Sequence, residues 1–311
     1  MIITVTLNPA LDKTIQVDEF KIDSVNRIVD TRVDAGGKGI NVSKVIEELQ
    51  HKSTALGFLG GSSGNQIKNY LDELNINNDF LTVKGETRTN LKIYDKVFNT
   101  HTDINENGPG LGEENISNIK EKIMEYCNRD SIVVLSGSVP SGVSTSIYGD
   151  IIRDIKTKGG KAILDAEGEL LMEGIKAGPY MVKPNIDELE KAFHISINSQ
   201  EQVIETAKKI LEYGVKYVVI SQGSEGSLFI SNDKVAKVKG IKVEVKSTVG
   251  AGDSMVAALA VAVQQEYSFE EAMKLACATS TANVMTEGTQ TGKFADIEKL
   301  KEKITINYIT K

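Results

Sequence analysis

Short apolar runs alternating with helical periodicity constrain this chain more than any other feature. The runs read IITVTL (2–7), TALGFL (54–59), DFLTV (79–83), SIVVLS (131–136), KAILD (161–165), YMVK (180–183) and YVVIS (217–221). Each is short and apolar on both sides, as strands buried on both faces are. Between the runs, apolar residues recur at helical spacing: Val42, Val45, Ile46 and Leu49; Ile116, Ile119, Ile123 and Cys127; Ile147, Ile151 and Ile155. Each set forms one stripe of a helix turned toward a core. The regular succession predicts an α/β fold of three layers, a mostly parallel central sheet flanked by helices.

Two stretches, about 13–34 and 88–106, break this rhythm. TIQVDEF, RIVDTRV and TNLKIYDKV alternate polar and apolar residues without a helical stripe, which predicts a half-exposed antiparallel sheet. With no internal repeat, low-complexity tract or Pro/Gly linker, residues 1–311 read as one domain. That domain carries a small β-sheet lid built from segments of approximately 11–35 and 87–108.

Charge and composition narrow the function. Lys and Arg total 36 against 43 Asp and Glu, a net charge of −7, which makes a nucleic-acid backbone a poor partner. The longest apolar run, Met255–Val263, falls well short of the ~20 residues that span a bilayer. The start of the chain lacks a basic segment and long apolar core, so no membrane association and a cytoplasmic location are expected. Cys127 and Cys277 lack CxxC spacing, which argues against a disulfide framework or structural zinc. His51, His101 and His194 show no metal-binding or triad spacing, so a carboxylate is the expected proton carrier.

Neither GxxxxGK[ST] nor a GxGxxG following a strand occurs. Two other glycine clusters stand at helix starts. Ser247-Thr248-Val249-Gly250-Ala251-Gly252-Asp253-Ser254 runs into the apolar MVAALAVAV. Closely spaced glycines let successive amides and the positive helix end face one point, an anion hole suited to a migrating phosphoryl group. Asp253 at its mouth can accept a hydroxyl proton while the amides of Ala251, Gly252 and Asp253 stabilise oxygen charge. A Gly-Asp pair at a helix start also serves as a mere turn and cap. The second cluster, Ala35-Gly36-Gly37-Lys38-Gly39-Ile40-Asn41, lets a polar ligand approach the backbone, with Lys38 and Asn41 as donors, or is a turn with an exposed lysine.

Together the clusters resemble the paired signatures of the ribokinase-like family of sugar kinases, the phosphofructokinase-B group. TLNPALD at the start, KGETRTN (84–90), SGSVPSG (136–142), KPNIDELE (183–190) and SQGSEG (221–226) extend the resemblance over the whole chain in the family's order. The resemblance implies ATP-dependent phosphorylation of a ketohexose phosphate with Mg2+. Fructose 1-phosphate going to fructose 1,6-bisphosphate comes first, with tagatose 6-phosphate as the alternative. It implies that Asp253 is the catalytic base, with Gly250, Ala251 and Gly252 forming the anion hole. Asp12 would hold sugar hydroxyls, and Gly37, Lys38 and Asn41 would line the sugar site.

Arg88, whose guanidinium suits bidentate phosphate binding, would clamp the sugar phosphate with Ser138, or Ser136 in its place. A homodimer through the lid is left open, and Arg27 would then act from the neighbouring subunit. On the nucleotide side the resemblance implies Lys183 at the ATP phosphates and Asn185 and Glu188 orienting magnesium through water. Ser221, Gly223, Ser224 and Gly226 would turn beneath the phosphates, and Thr248 and Asn283 would lie near the adenosine. One departure stands out: Tyr94 to Thr102 does not read as the short hairpin expected before DINENGPG.

Overall fold

The computed structural model describes residues 1–288 and 290–310. Its strands, in chain order, are β1 (Ile2–Thr6), β2 (Ala10–Val17), β3 (Ile28–Gly36), β4 (Ser53–Leu59), β5 (Asn77–Asn78), β6 (Leu81–Thr82), β7 (Arg88–Asp95) and β8 (Thr100–Asn105). They continue with β9 (Ile132–Ser136), β10 (Lys161–Asp165), β11 (Met181–Val182), β12 (Tyr217–Ser221), β13 (Ser227–Ile230), β14 (Val235–Val238) and β15 (Ile306–Thr310). The main sheet runs β15-β14-β13-β12-β11-β10-β9-β1-β4-β5, with β6 also on β4. Pairings from β12 through β4 and on to β5 are parallel, and β13 to β15 add an antiparallel edge.

Strand alternation divides the core into two layers. Val133, Leu135 and Leu164 pack on one face beneath the helices Glu113–Tyr126 and Ile147–Thr157, where Ile119, Ile123, Ile151 and Ile155 are fully buried. Ile132, Val134 and Ile163 pack on the other beneath Lys38–Glu48, Ala251–Gln264 and Phe269–Val284. The Ala251–Gln264 helix is buried nearly all round, and its alanines at 257, 258, 260 and 262 let it approach its neighbours closely. No helix of the described residues is long and apolar enough to cross a membrane.

The second sheet, in the order β3-β2-β7-β8, differs from the antiparallel sheet expected. β2 pairs with β3 and β7 with β8 antiparallel, but β2 and β7 run parallel. The reason is connectivity: between β3 and β7 the chain passes through the main sheet and re-enters beside β2 from the same end, Ala10 opposite Arg88. Tyr94 to Thr102 forms a short hairpin after all. The Asp95 carboxylate accepts from the amides of Val97 and Phe98 at 2.9 and 3.1 Å, and Asn99 takes the left-handed conformation (φ 51°).

Two expected strands are shorter than read. DFLTV pairs only over Leu81–Thr82, because Asp79 turns its carboxylate to Lys122 at 2.6 Å and Tyr126 at 2.9 Å. YMVK ends at Val182, since Pro184 has no amide to donate, and an isolated bridge between Asn185 and Ser221 resumes the pairing.

Candidate active site

Parallel strands deliver their carboxyl ends to one cleft, the usual ligand edge of an open α/β sheet. β1 leads to Asn8, β9 to Ser136, Gly137 and Ser138, β10 to Asp165, and β11 to Lys183. The Ala251–Gln264 helix faces them with its amino end. Gly250 precedes it at φ 81°, a left-handed conformation that a side chain resists, and the helical ladder begins only with Ser254 N donating to Gly250 O at 2.8 Å. The amides of Gly252 and Asp253 lie ahead of that ladder, while Ala251 N makes a long 3.4 Å bond back to Thr248 O.

Asp253 does not cap this helix, for the N-cap has no side-chain bond. Its carboxylate instead accepts from Asn41 Nδ2 at 2.8 Å and is 7% exposed. Burial, seconded by the charge of Asp165, pushes its pKa up to about 6, against the pull of Lys38, Asn41 and Lys183. A carboxylate so tuned is ionised at neutral pH yet basic enough to take a proton.

Asp165, which the sequence reading missed, lies at the centre. It is fully buried, with Lys38 Nζ and Lys183 Nζ each 3.4 Å from Oδ1. Burial alone would raise its pKa, but Lys183 and then Lys38 hold it below the ordinary carboxylate value. Lys38, expected among the sugar-side groups, turns its ammonium to Asp165 and to Glu188 Oε1 at 3.7 Å, because two carboxylates on that side outcompete the open cleft. Asp165, more than Glu188, raises its pKa above the ordinary lysine value. The Lys183 ammonium sits over Gly252, 3.2 Å from where a Cβ would be.

The second sheet supplies the other wall. Gly36 approaches Asp12 so closely that a Cβ would fall 2.7 Å from the carboxylate. Asp12 also accepts from Asn90 Nδ2 at 2.9 Å and lies 3.5 Å from Lys92. Arg88 donates to the carbonyls of Asn8 (3.1 Å) and Glu106 (3.3 Å), and Asn8 Nδ2 donates to Ser138 Oγ at 3.3 Å. Arg88, Asn8 and Ser138 therefore form one polar cluster.

Among the described residues, most buried side-chain polar atoms without a partner border this cleft: Thr6 Oγ1, Asn8 Oδ1, Arg88 Nε, Asn90 Oδ1, Ser136 Oγ and Asp165 Oδ2. Such atoms are expensive to leave unpaired, and their concentration marks where a polar ligand completes the structure.

The nucleotide-side candidates take local roles as well. Asn185 and Glu188 form a capping box, Asn185 Oδ1 accepting from Glu188 N at 2.7 Å and Glu188 Oε2 from Asn185 N at 2.9 Å. The sequence reading missed this box, although Asn-x-x-Glu ahead of an apolar residue is its signal. Ser221 ends β12, and Gly223 to Glu225 form a 3-10 turn before Gly226. Asn283, read as lying near an adenosine, is buried alongside Gly250, its amide donating to Gln290 O at 2.9 Å. Thr248 is exposed. Arg27 is exposed in the segment joining β2 to β3, and among the described residues no hydrogen bond or ion pair ties it to the others.

The unpartnered Asp165 oxygen and the nearby Glu188 carboxylate are hard oxygen donors of the kind that suit a small hydrated divalent cation. A separate apolar cavity of about 180 Å³, bordered by Tyr180, Tyr217, Leu259 and Phe269, contains none of the cleft residues.

The family described as pfkB family carbohydrate kinase matches residues 5–295. A 1-phosphofructokinase of Borreliella burgdorferi is 37% identical over 310 residues, covering 99% of both chains. A tagatose-6-phosphate kinase of Staphylococcus epidermidis is 34% identical, covering 98% of this chain and all of its own. Among solved structures, phosphofructokinase-2 of Escherichia coli superposes with a TM-score of 0.93 at 29% identity, covering 97% of this chain and 98% of its own.

Proposed function

Because the chain belongs to the pfkB family of carbohydrate kinases, we propose that it moves the γ-phosphoryl group of ATP to fructose 1-phosphate, giving fructose 1,6-bisphosphate. The observation that carries this reading is the buried Asp253 carboxylate at the mouth of an anion-receiving helix end, across the cleft from the Arg88, Asn8 and Ser138 cluster. Asp253 takes the proton of the acceptor hydroxyl as its oxygen forms the new bond to phosphorus. The bond from that phosphorus to the bridging oxygen breaks, and ADP leaves with the electron pair. The amides of Gly252 and Asp253, with Lys183, receive the charge of the transferring group, so catalysis is mostly positioning and electrostatics.

On the sugar side, Arg88 and Ser138 hold the phosphate already present, while Asp12, Gly37 and Asn41 hold the ring. On the nucleotide side, Lys183, Asn185, Ser221, Gly223, Ser224, Gly226, Thr248 and Asn283 border the ATP. Glu188, through water, and Asp165 would be the residues to hold magnesium, which would supply neutralisation of phosphate charge.

Tagatose 6-phosphate is the second reading, favoured by the similarity to a kinase of that name. A ketohexose furanose is nearly twofold pseudosymmetric, so one phosphate clamp serves either end. A coupled assay of ADP release across fructose 1-phosphate, fructose 6-phosphate, tagatose 6-phosphate, fructose and ribose tests the proposal. Fructose 1-phosphate should give the highest kcat/KM, and preference for an unphosphorylated sugar overturns it.

The second sheet acts as a lid, and its exposed Ile28, Val29 and Val33, with Val97, Phe98 and Ile104, support a homodimer through it, from which Arg27 reaches the neighbouring cleft. Val33→Lys should then shift sedimentation toward the monomer. The two cysteines are unpaired and buried, in keeping with a reducing cytoplasm.

A further inference from the structure

Lys44 lies on the Lys38–Glu48 helix, is 7% exposed, and has no carboxylate within ion-pair distance among the described residues. A buried ammonium is costly unless its donors are used. Those of Lys44 go to the carbonyl of Ala35 and, at 3.4 Å, to Asn41 Oδ1, while its charge lies 5.3 Å from the centre of the Tyr70 ring. Asn41 in turn donates from Nδ2 to Asp253 Oδ2 at 2.8 Å.

An ammonium can only donate, and an ionised carboxylate can only accept. An amide held between the two fits in one orientation, oxygen to the lysine and nitrogen to the aspartate. Turning it over would set N–H groups against the ammonium and an oxygen against the carboxylate. Protonated Asp253 could still accept from the Asn41 amide at its carbonyl oxygen, but that bond would lose its charge assistance, and its O–H would find no acceptor in Asn41 because Lys44 holds the amide oxygen away.

We infer that Lys44 is a positioning residue: it locks the Asn41 amide with its N–H toward Asp253, which favours the ionised, proton-accepting form of that carboxylate over the protonated one. The inference rests on the reading of Asp253 as base and adds a buried residue that reaches that carboxylate only through Asn41. Other charges share the neighbourhood. Asp165 on β10, Lys38 on the same helix as Lys44, and Lys183 after β11 face Asp253. Burial pushes the Lys44 pKa below the ordinary lysine value; Asp34, Asp12 and Asp253 work against that, and Arg32 works with it. The effect of Lys44 must therefore be separated from simple loss of a nearby positive charge, and Asn41 provides the means.

The test is the pH profile of kcat/KM for fructose 1-phosphate in wild type, Lys44→Met, Asn41→Ala and the double variant. Lys44→Met frees the amide to turn and accept from protonated Asp253, so the acid limb should move up by about one pH unit. That is a loss of about fivefold at pH 6 and little at pH 8, with the KM for ATP within about twofold. In the Asn41→Ala background the same substitution should move the limb by less than half as much.

If Lys44→Met fails to fold, Lys44→Gln serves. Its side-chain amide can present an oxygen to Asn41 as readily as an N–H, lifting the restriction, and should move the limb in the same direction. A limb that stays in place in the folded Lys44 variant, or that moves equally with and without Asn41, overturns the inference. The reading of Asp253 fails separately: Asp253→Asn would then retain activity whatever Lys44 does.

Discussion

The floor of the cleft and the sheet that walls it are built on opposite terms. On the floor, Asp165, Lys183 and Asp253 are almost wholly buried, and each charge is answered by another or by a hydrogen bond, although Asp165 Oδ2 itself has no hydrogen-bond partner among the described residues. On the wall, Arg88 is half-buried and spends its donors on backbone carbonyls, and Asn90 Oδ1 and Arg88 Nε have no partner among the described residues. Buried, mutually fixed charges keep their geometry whether or not a ligand is present, which suits bond making. Half-satisfied groups on a thin sheet gain most when a ligand arrives, which suits recognition. Floor variants should therefore lower turnover, and wall variants should alter which sugar is used.

The largest effect belongs to the floor. Asp253→Asn keeps the shape and loses the basicity, so kcat should fall by about 10²–10⁴. Its stability should move the other way. A carboxyl whose folded pKa is raised contributes stability that is complete at acid pH and is lost as pH rises through about 6. At neutral pH the gap between about 6 and the ordinary 3.8 amounts to about 3 kcal/mol of destabilisation. The variant should therefore melt several degrees above wild type. Turnover above a tenth of normal in a folded variant would remove Asp253 from the chemistry.

On the wall, Arg88→Ala should raise the KM for the sugar phosphate about ten- to a hundredfold, the worth of a charge-assisted clamp of ~1.5–3 kcal/mol, and leave the KM for ATP nearly unchanged. Discrimination between fructose 1-phosphate and fructose should shrink in proportion. If it stays intact while the ATP constant rises, Arg88 belongs to the floor's nucleotide half, and the division drawn above breaks.

A third expectation concerns pH. The raised pKa of Asp253 predicts that wild-type kcat/KM falls about tenfold per pH unit below about 6, as its base is protonated. A profile flat from pH 7 to 5 would mean that no carboxylate of this kind limits the free enzyme.

How much of this was legible in the sequence follows the same division. The doubly buried strands and the helix stripes at Val42–Leu49, Ile116–Cys127 and Ile147–Ile155 stand out because burial on a regular element imposes a period. Asp253 could be found because glycines and an apolar helix frame it. Asp165 was overlooked although KAILD carries its one acidic residue at the carboxyl end, where ligand groups of such sheets gather. β13 and β14 escaped because SLFI and VAKV are only four residues long with no helix between them, and β15 because three helices separate it from its partner β14. The parallel pairing of β2 with β7 is a property of the route taken by the chain between them, which no local pattern records. Lys44 was invisible for a similar reason: in sequence it is one more lysine on a helix, and only its burial beside Asn41 distinguishes it.

The smallest expected effect tests where the floor ends. Glu188 does two things in the structure: Oε2 closes the capping box with Asn185, and Oε1 faces Lys38 at 3.7 Å. Glu188→Gln separates them, because a glutamine oxygen can still accept from Asn185 N while the charge is gone. If the carboxylate also serves a water-held magnesium, the magnesium concentration for half-maximal activity should rise a few-fold with the melting temperature nearly unchanged. Glu188→Ala should do the same and also lower stability by about 1 kcal/mol through loss of the cap. Were the magnesium titration unmoved in Glu188→Gln while Glu188→Ala melted lower, Glu188 would be a helix cap alone. The floor would then end at Asp165, whose buried oxygen would be left as the carboxylate facing the ion.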